Sequence, residues 1–188
     1  MAEGKAAERA LDAWLAAAAR TGDARAFALL VRRWNGKLVA HAWRLLGDRE
    51  AACDAAQEAW AEIVRGLPRL LDTAAFPAWA YRIVSRRCAK AIGTAVQRRR
   101  TEDALAAAGA LAEPVDNIAA DAASDGARLR AAIADLPPGQ RAAIALFHLE
   151  EMSVAEVAVA LELPAGTVKT RLMHARRKLR AALEGDEQ

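Results

Sequence analysis

The spacing of the large apolar residues constrains this chain most, because they recur every three or four positions and the pattern stops at Gly and Pro. Runs of β-branched residues, which are typical of strands, are absent from the sequence. The longest stretch covers residues 24–46, where the apolar positions are Phe27, Leu30, Val31, Trp34, Leu38, His41 or Ala42, and Leu45. This is the spacing of an amphipathic helix. The sequence therefore predicts an all-α fold.

The N-terminal half is predicted to hold four helices, over about 6–20, 24–46, 48–67 and from 76 into a basic run. Asp23 and Asp48 stand where they can cap the second and third helices. Pro77 suits the first turn of the fourth. Eight of the nine aromatic residues lie at or before residue 81. We therefore expect a larger N-terminal unit with an aromatic core and a smaller, aliphatic C-terminal unit.

The C-terminal half is predicted to hold helices over about 128–135, 139–150, 153–161 and 167–183. Ser153 and Glu156 form the S-x-x-E pattern of a capping box at the start of the third of these. A tight turn at 163–166 leads from that short helix into a longer, very basic one. This order is typical of a helix-turn-helix, whose second helix enters the major groove of DNA.

Charge is unevenly distributed along a chain whose net charge is only +3. Residues 82–100 carry seven basic residues and no acid, and residues 169–180 carry six basic residues and no acid. Two basic patches indicate a polyanion that is contacted at two places, the alternative being two solvated helix faces. Residues 101–125 carry six acids, no base and few bulky apolar residues, which predicts a flexible linker.

The last predicted helix has two faces. Val168, Leu172, Ala175, Leu179 and Leu183 follow helical spacing and are expected to face the core. The candidate DNA-binding residues are Thr167, Lys169, Thr170, Arg171, His174, Arg176, Arg177 and Lys178. The early members suit base edges and the later cations suit phosphates. For His174, a surface histidine without a ligand role is an equal alternative.

The sequence lacks the patterns that are typical of disulfide-stabilised proteins, metalloproteins, most enzymes and membrane proteins. Cys53 and Cys88 stand at unrelated positions, which argues against a disulfide framework and a metal site and favours two small core residues over a redox pair. The sequence has no Gly-rich phosphate loop and no nucleophile beside a base. We therefore expect neither catalysis nor a cofactor, although an enzyme built on a carboxylate pair alone stays open. The apolar runs are too short for membrane insertion, which indicates a cytoplasmic protein.

Several segments resemble one known family, the bacterial sigma factors of extracytoplasmic-function (ECF) type. Residues 136–141 (LPPGQR), 153–158 (SVAEVA) and 166–172 (GTVKTRL) are similar to that family's minus-35-binding domain. Residues 54–60 (DAAQEAW) and 76–83 (FPAWAYRI), with Gly22, Asp23 and Phe27 before them, are similar to its domain for core RNA polymerase and the minus-10 element. The resemblance implies domains at 1–100 and 126–188, joined by the linker at 101–125.

The resemblance also implies roles for individual residues. Asp54, Gln57 and Glu58 are expected to contact core RNA polymerase, although an exposed helix face explains them nearly as well. The loop at 70–75 is expected to capture an unstacked minus-10 base. The residues expected to hold the melted minus-10 strand are Trp79, Arg82, Arg86, Arg87 and Lys90.

Parts of the minus-10 assignment have alternatives. Trp79, like Phe76, lies on the apolar stripe and is favoured as a core residue over a stacking platform. Arg86 and Lys90 stand where many family members carry Asn and Asp, so the usual minus-10 preference is not carried over. The implied partners are core RNA polymerase, promoter DNA and a cognate anti-sigma factor. The competing function is a stand-alone helix-turn-helix regulator whose N-terminal unit senses a ligand or dimerises.

Overall fold

The structure of the protein is a computed structural model that describes residues 2–105 and 125–184. The described part is helical and contains no strand, which confirms the predicted fold class. Its helices are α1 (Ala2–Arg20), α2 (Ala24–Leu46), α3 (Arg49–Gly66), α4 (Phe76–Leu105), α5 (Asp125–Ala134), α6 (Pro138–Ile144), α7 (Val154–Leu161) and α8 (Ala165–Glu184). We call α1–α4 the N-terminal unit and α5–α8 the HTH unit. Most of the predicted linker, residues 106–124, lies outside the described residues, while residues 101–105 complete α4.

Local chemistry explains where the long helices of the N-terminal unit begin and end. The Asp23 carboxylate accepts hydrogen bonds from the backbone N–H groups of Arg25, at 2.8 Å, and Ala26, at 3.0 Å. These N–H groups are otherwise unpaired at a helix start. Gly47 ends α2 with φ 77°. This left-handed conformation favours glycine. Between α3 and α4 the chain makes two short 3-10 turns, Leu67–Arg69 and Thr73–Ala75.

The core of the N-terminal unit is aromatic, as predicted. Trp34 of α2 packs edge to face against Phe76 and Tyr81 of α4, with ring centroids 5.4 Å and 5.6 Å apart. This is a favoured arrangement of aromatic rings. His41 is fully buried beside them, and its Nε2 lies 2.9 Å from the Ser85 hydroxyl. Burial, with a smaller effect from Arg44, lowers the pKa of His41 to about 3, so His41 behaves as a neutral core residue.

Some large apolar residues are exposed. Trp14, Trp43 and Val64 are 62%, 48% and 51% exposed. Leu183, which was predicted to face the core, is 39% exposed at the end of α8. Cys88 is buried, which raises its thiol pKa to about 11 and agrees with a structural role, whereas Cys53 is only half-buried.

The two units pack directly against each other. Helix α4 packs against α7 and α2 packs against α6. One continuous cluster of buried residues joins aromatic residues of the N-terminal unit, such as Tyr81, to aliphatic residues of the HTH unit, such as Leu146, Val157 and Val168. The predicted aromatic and aliphatic halves are therefore both present, but they are in contact.

Candidate nucleic-acid interface and docking surface

Helices α7 and α8 form the predicted helix-turn-helix. The Ser153 hydroxyl accepts a hydrogen bond from the Glu156 N–H, at 3.2 Å, and the Glu156 carboxylate accepts one from the Ser153 N–H, at 2.7 Å. This reciprocal capping box fixes the start of α7. Glu162 ends α7 in the left-handed region, at φ 53°, and the chain turns into α8 at Ala165.

Helix α8 has one buried and one exposed face. Val168, Leu172 and Ala175 are buried against the rest of the HTH unit. Leu179 is only half-buried, so the core-facing residues of α8 are less buried in its last two turns. The exposed face is long enough to present side chains to a DNA groove. The exposed residues of the predicted DNA-binding set are Thr167, Lys169, Thr170, Arg176, Arg177 and Lys178, and the half-buried ones are Arg171 and His174.

Two arginines of α8 have defined surroundings. The Arg171 guanidinium packs so closely against Gly139, at the start of α6, that a Cβ on Gly139 would lie 2.5 Å from its Nη1. The Arg176 guanidinium lies 5.3 Å from the Phe147 ring centroid and 3.3 Å from His148 Nε2. Arg171 is therefore held against the body of the HTH unit, and Arg176 is oriented by an aromatic ring.

Three of the five predicted minus-10 residues of α4 lie around an open pocket of about 570 Å³, whereas Arg87 and Lys90 line a separate groove. Trp79, Arg82 and Arg86 line the open pocket together with the predicted base-capturing loop, of which Leu70, Leu71, Asp72 and Ala75 take part. The Trp79 ring is half-buried, since it packs against Phe76 with ring centroids 6.2 Å apart. One side of Trp79 therefore belongs to the core and the other to the pocket.

Sequence reasoning missed two charged residues of this pocket, Glu62 and Arg69. The Glu62 carboxylate of α3 accepts hydrogen bonds from both Arg86 and Arg87 of α4. Burial raises the pKa of Glu62, but the hydrogen bonds and charges of Arg87 and Arg86 outweigh it, and the net shift is downward. The Arg87 pKa is raised, mainly by its hydrogen bond to Glu62. In the sequence, the only signal for Glu62 was an acidic residue in the helix that precedes the basic run at 82–100.

The predicted polymerase-binding residues Asp54, Gln57 and Glu58 are all exposed on α3. Asp54 and Glu58 line a groove of about 360 Å³ that Arg87 and Lys90 of α4 complete. Glu58 also forms an ion pair with Arg87, at 3.1 Å. Gln57 does not line this groove. The structure thus places part of the predicted docking surface beside part of the predicted minus-10 surface.

Two kinds of site are absent from the part of the chain that the structure describes. Within residues 2–105 and 125–184, no group of three or more His, Cys, Asp or Glu side chains could hold a metal ion. In the same residues, no helix is both long and apolar enough to cross a membrane.

Comparison with known protein families gives two matches. Residues 30–100 match the model described as Sigma-70 region 2, and residues 126–179 match the model described as Sigma-70, region 4. The first match covers most of α4 and the pocket, and the second covers the helix-turn-helix. Because the N-terminal unit matches a sigma-factor region, a stand-alone regulator with a sensing or dimerisation domain is not favoured.

Individual relatives agree with these matches. The RNA polymerase sigma-H factor of Pseudomonas aeruginosa is 33% identical over 172 residues, which cover 87% of this chain and 89% of that protein. The ECF RNA polymerase sigma-E factor of Escherichia coli K12 is 30% identical over 178 residues, which cover 90% of this chain and 92% of that protein.

Solved structures share the architecture. CnrH, in complex with the cytosolic domain of CnrY, gives a TM-score of 0.61 at 27% identity and covers 94% of this chain and 99% of that one. The sigma factor RpoE of Bartonella quintana, in complex with the anti-sigma factor NepR, gives a TM-score of 0.62 at 20% identity. The match covers 86% of this chain and 98% of that one, and at this identity it shows a shared fold. Taken with the two region matches and the identity to the sigma-E factor, these findings show that the chain belongs to the ECF family of RNA polymerase sigma factors.

Proposed function

We propose that this sigma factor directs core RNA polymerase to promoters by contacting two promoter elements, with α4 at the minus-10 element and α8 at the minus-35 element. The observation that carries this assignment is the presence of two basic helix faces, one on α4 of the N-terminal unit and one on α8 of the HTH unit. The proposal divides the chain into a minus-10 and polymerase-binding domain at 1–100, a linker at 101–125 and a minus-35-binding domain at 126–188.

The minus-35 contacts are assigned to the exposed face of α8. The exposed Thr167, Lys169 and Thr170 stand in its first two turns, the part of a recognition helix that contacts base edges. Arg171 stands beside them with its half-buried side chain against Gly139, so a base contact requires that its guanidinium leave this position. Arg176, Arg177 and Lys178 stand later, where cations position the helix on phosphates. His174 lies between these early residues and the later cations, where its half-buried ring can reach a base edge or a phosphate.

The minus-10 contacts are assigned to the pocket on α4 and to the basic residues of α4 that lie beyond it. The volume of the pocket suits an unstacked nucleotide, and the half-exposed Trp79 ring offers one face for stacking. Arg82, Arg86, Arg87 and Lys90 supply positive charge for the phosphates of the melted strand.

Binding of a single-stranded minus-10 oligonucleotide tests this pocket. Trp79→Ala is expected to weaken binding by about 1–3 kcal/mol, the usual contribution of one stacked base. Trp14→Ala is the matched control, since Trp14 is an exposed tryptophan on α1, and it should leave binding unchanged. Equal binding by both variants would remove Trp79 from the site.

Core RNA polymerase is assigned to α3, through Asp54, Gln57 and Glu58. Charge reversal of a docking residue at a desolvated contact is expected to weaken association by about 2–5 kcal/mol. Asp54→Arg with Glu58→Arg should therefore lose co-purification with core polymerase and keep the helical circular-dichroism signal. Asp135→Arg, an exposed acid of the HTH unit, makes the same type of charge change as a control. Retention of polymerase by the double variant would contradict the assignment.

The remaining parts of the proposal follow from the role of a promoter-specificity subunit. The chain acts by binding alone, needs no cofactor and works where the polymerase is, in the cytoplasm. A cognate anti-sigma factor is a further partner: CnrH, a relative in structure, was solved with another protein bound to it.

A further inference from the structure

The glycine at the start of α6, Gly139, is not required there by the backbone. Gly22 and Gly47 are the glycines with positive φ in the part of the chain that the structure describes, whereas Gly139 is a helical residue within Pro138–Ile144. A glycine inside a helix loses more conformational freedom on folding than an alanine would. The reason for a glycine at this position therefore lies in what surrounds it.

The space beside Gly139 is occupied by the end of the Arg171 side chain from α8. A Cβ on Gly139 would lie 2.5 Å from Nη1, 3.0 Å from Cζ and 3.5 Å from Nη2 of Arg171, and these are the three nearest atoms. A separation of 2.5 Å is too short for real atoms, so an alanine at 139 would force the guanidinium to move. Because the guanidinium ends a long, flexible side chain, it can move without displacing either helix.

Packing alone holds the Arg171 guanidinium in this place. Within residues 2–105 and 125–184 it forms no hydrogen bond and no ion pair. The first turn of α6 contains no acid that could attract it. The unpaired N–H groups at the start of a helix carry partial positive charge, which disfavours a neighbouring cation. The docked position of Arg171 therefore depends on the room that Gly139 leaves.

The docked position withholds Arg171 from a base contact. Its side chain is half-buried, whereas Lys169 and Thr170 just before it are exposed. An arginine reads guanine by bringing two N–H groups to the base edge in the major groove, so Arg171 must first leave α6. When only a fraction of the molecules is competent to bind, the apparent affinity is reduced by that fraction.

We infer that Gly139 is a specificity-determining residue of the minus-35 surface: it lets Arg171 dock against α6 and thereby limits how strongly Arg171 contributes to sequence recognition. Gly139 is a positioning residue in this role, since it acts through Arg171. The inference rests on the proposed function for the DNA contact, but docking of Arg171 can be measured without DNA. A position outside the recognition helix would then set how strongly α8 discriminates between sequences.

Nuclear magnetic resonance of the free full chain tests the docking. Nitrogen-15 relaxation at Arg171 Nε should report a restricted side chain in wild type, and Arg171→Lys identifies the signal by removing it. Gly139→Ala should make the same Nε mobile. Gly36→Ala is the matched control, because Gly36 is also helical and an added Cβ there meets nothing within 4 Å. A mobile Arg171 Nε in wild type, or a restricted one in Gly139→Ala, would overturn the inference.

Thermal unfolding separates release of Arg171 from damage to the fold. Alanine is a better helix former than glycine, so Gly139→Ala should unfold at the same temperature as wild type or at a higher one. Gly139→Ser adds the same Cβ and should also mobilise Arg171. Lower unfolding temperatures in both variants, with Arg171 still restricted, would show that the close packing is only structural and would count against the proposal.

A second measurement uses holoenzyme assembled from core RNA polymerase and the full chain, with promoter fragments randomised over the upstream element. Gly139→Ala should bind its best sequence about three- to tenfold more tightly than wild type, as expected when most wild-type molecules keep Arg171 docked. Its preference should sharpen at the base pair where Arg171→Ala relaxes it. Gly36→Ala should select the same sequences as wild type with the same affinity.

The double variant shows whether the gain passes through Arg171. Gly139→Ala should have no further effect in an Arg171→Ala background, because no guanidinium is left to release. A gain that persists in that background, or a Gly139→Ala holoenzyme that behaves as wild type, would overturn the inference. If wild-type holoenzyme selects no upstream sequence although Arg171 is docked in the free chain, the proposed minus-35 contact is itself wrong, and the role of Gly139 in recognition falls with it.

Discussion

At the scale of single residues, two cations of α8 are expected to behave in opposite ways. Arg171→Ala should cost about 1–3 kcal/mol on the best minus-35 sequence and relax the preference at one base pair, as expected for a base reader. Lys178→Ala should weaken all sequences alike and lower the salt slope by about one unit, as expected for a phosphate contact. Selection from a minus-35 library at several salt concentrations measures both quantities. If both substitutions only scale affinity, the division of α8 into reading and anchoring parts is wrong.

His41 is expected to make stability depend on pH. Its pKa is about 3 in the folded chain against 6.5 as the ordinary value, so the unfolded chain binds more protons between these values. Stability should therefore fall as pH decreases, by about 2 kcal/mol from neutral pH to roughly pH 5. Urea unfolding at a series of pH values measures this slope. His41→Gln should flatten it, and an unchanged slope would place the titrating group elsewhere.

At the scale of helices, Glu62 links α3 to α4 and is expected to stabilise their packing. Glu62→Gln removes the charge that holds Arg86 and Arg87. This change should cost about 1–3 kcal/mol of unfolding free energy. Glu58→Gln is the control, because Glu58 touches the same Arg87 but its side chain is 64% exposed. The control should cost less than about 1 kcal/mol. Thermal unfolding of wild type, Glu62→Gln and Glu58→Gln at neutral pH measures both losses of stability.

The Glu62 ion pairs are also expected to make stability fall in acid, as His41 does. The cause differs, because the folded chain favours the neutral form of His41 but the charged form of Glu62. Because the Glu62 pKa is lowered in the folded chain, its contribution is present above the ordinary carboxyl pKa of 4.5 and is lost as pH falls below it. The difference between wild type and Glu62→Gln should therefore shrink in acid. A difference that stays constant from neutral pH into acid would contradict the ion pair.

Helix boundaries show what sequence alone could predict. The bounds of α2 were predicted in full, because Asp23 and Gly47 act within one turn of the helix they limit. The predicted helix over 139–150 instead loses regular α geometry at Ile144 and continues as a π turn, Ala145–Leu149. Its apolar run is compatible with either form, so no local signal marked the change.

The candidate site was predictable only in part, for a related reason. Helical spacing on α8 separated Val168 and Leu172 from the exposed cations, because both faces belong to one helix. The part played by Glu62 depends instead on how α3 lies against α4, and Arg87 is 25 residues away along the chain. Such a contact is set by helix packing and leaves no pattern in the sequence.

At the scale of the whole molecule, the sequence predicted two units but not their contact. The acids from Glu150 to Glu162 are separated by apolar residues of α7 and, taken along the chain, look like an ordinary solvated face. Only the packing of α7 on α4 and of α6 on α2 brings them opposite Arg82 and Lys37. Two basic helix faces on one chain of net charge +3 are thus compatible with direct packing of the two units, because acids of the HTH unit pair with cations of the N-terminal unit.

The most direct test of promoter recognition is in vitro transcription with core RNA polymerase from the organism that encodes the chain. Core polymerase with and without the chain is incubated with a pool of genomic fragments, and the 5′ ends of the transcripts are sequenced. New start sites should appear only with the chain, preceded by two shared elements at a fixed spacing, and Asp54→Arg with Glu58→Arg should abolish them. Identical start sites with and without the chain would contradict its role as a promoter-specificity subunit.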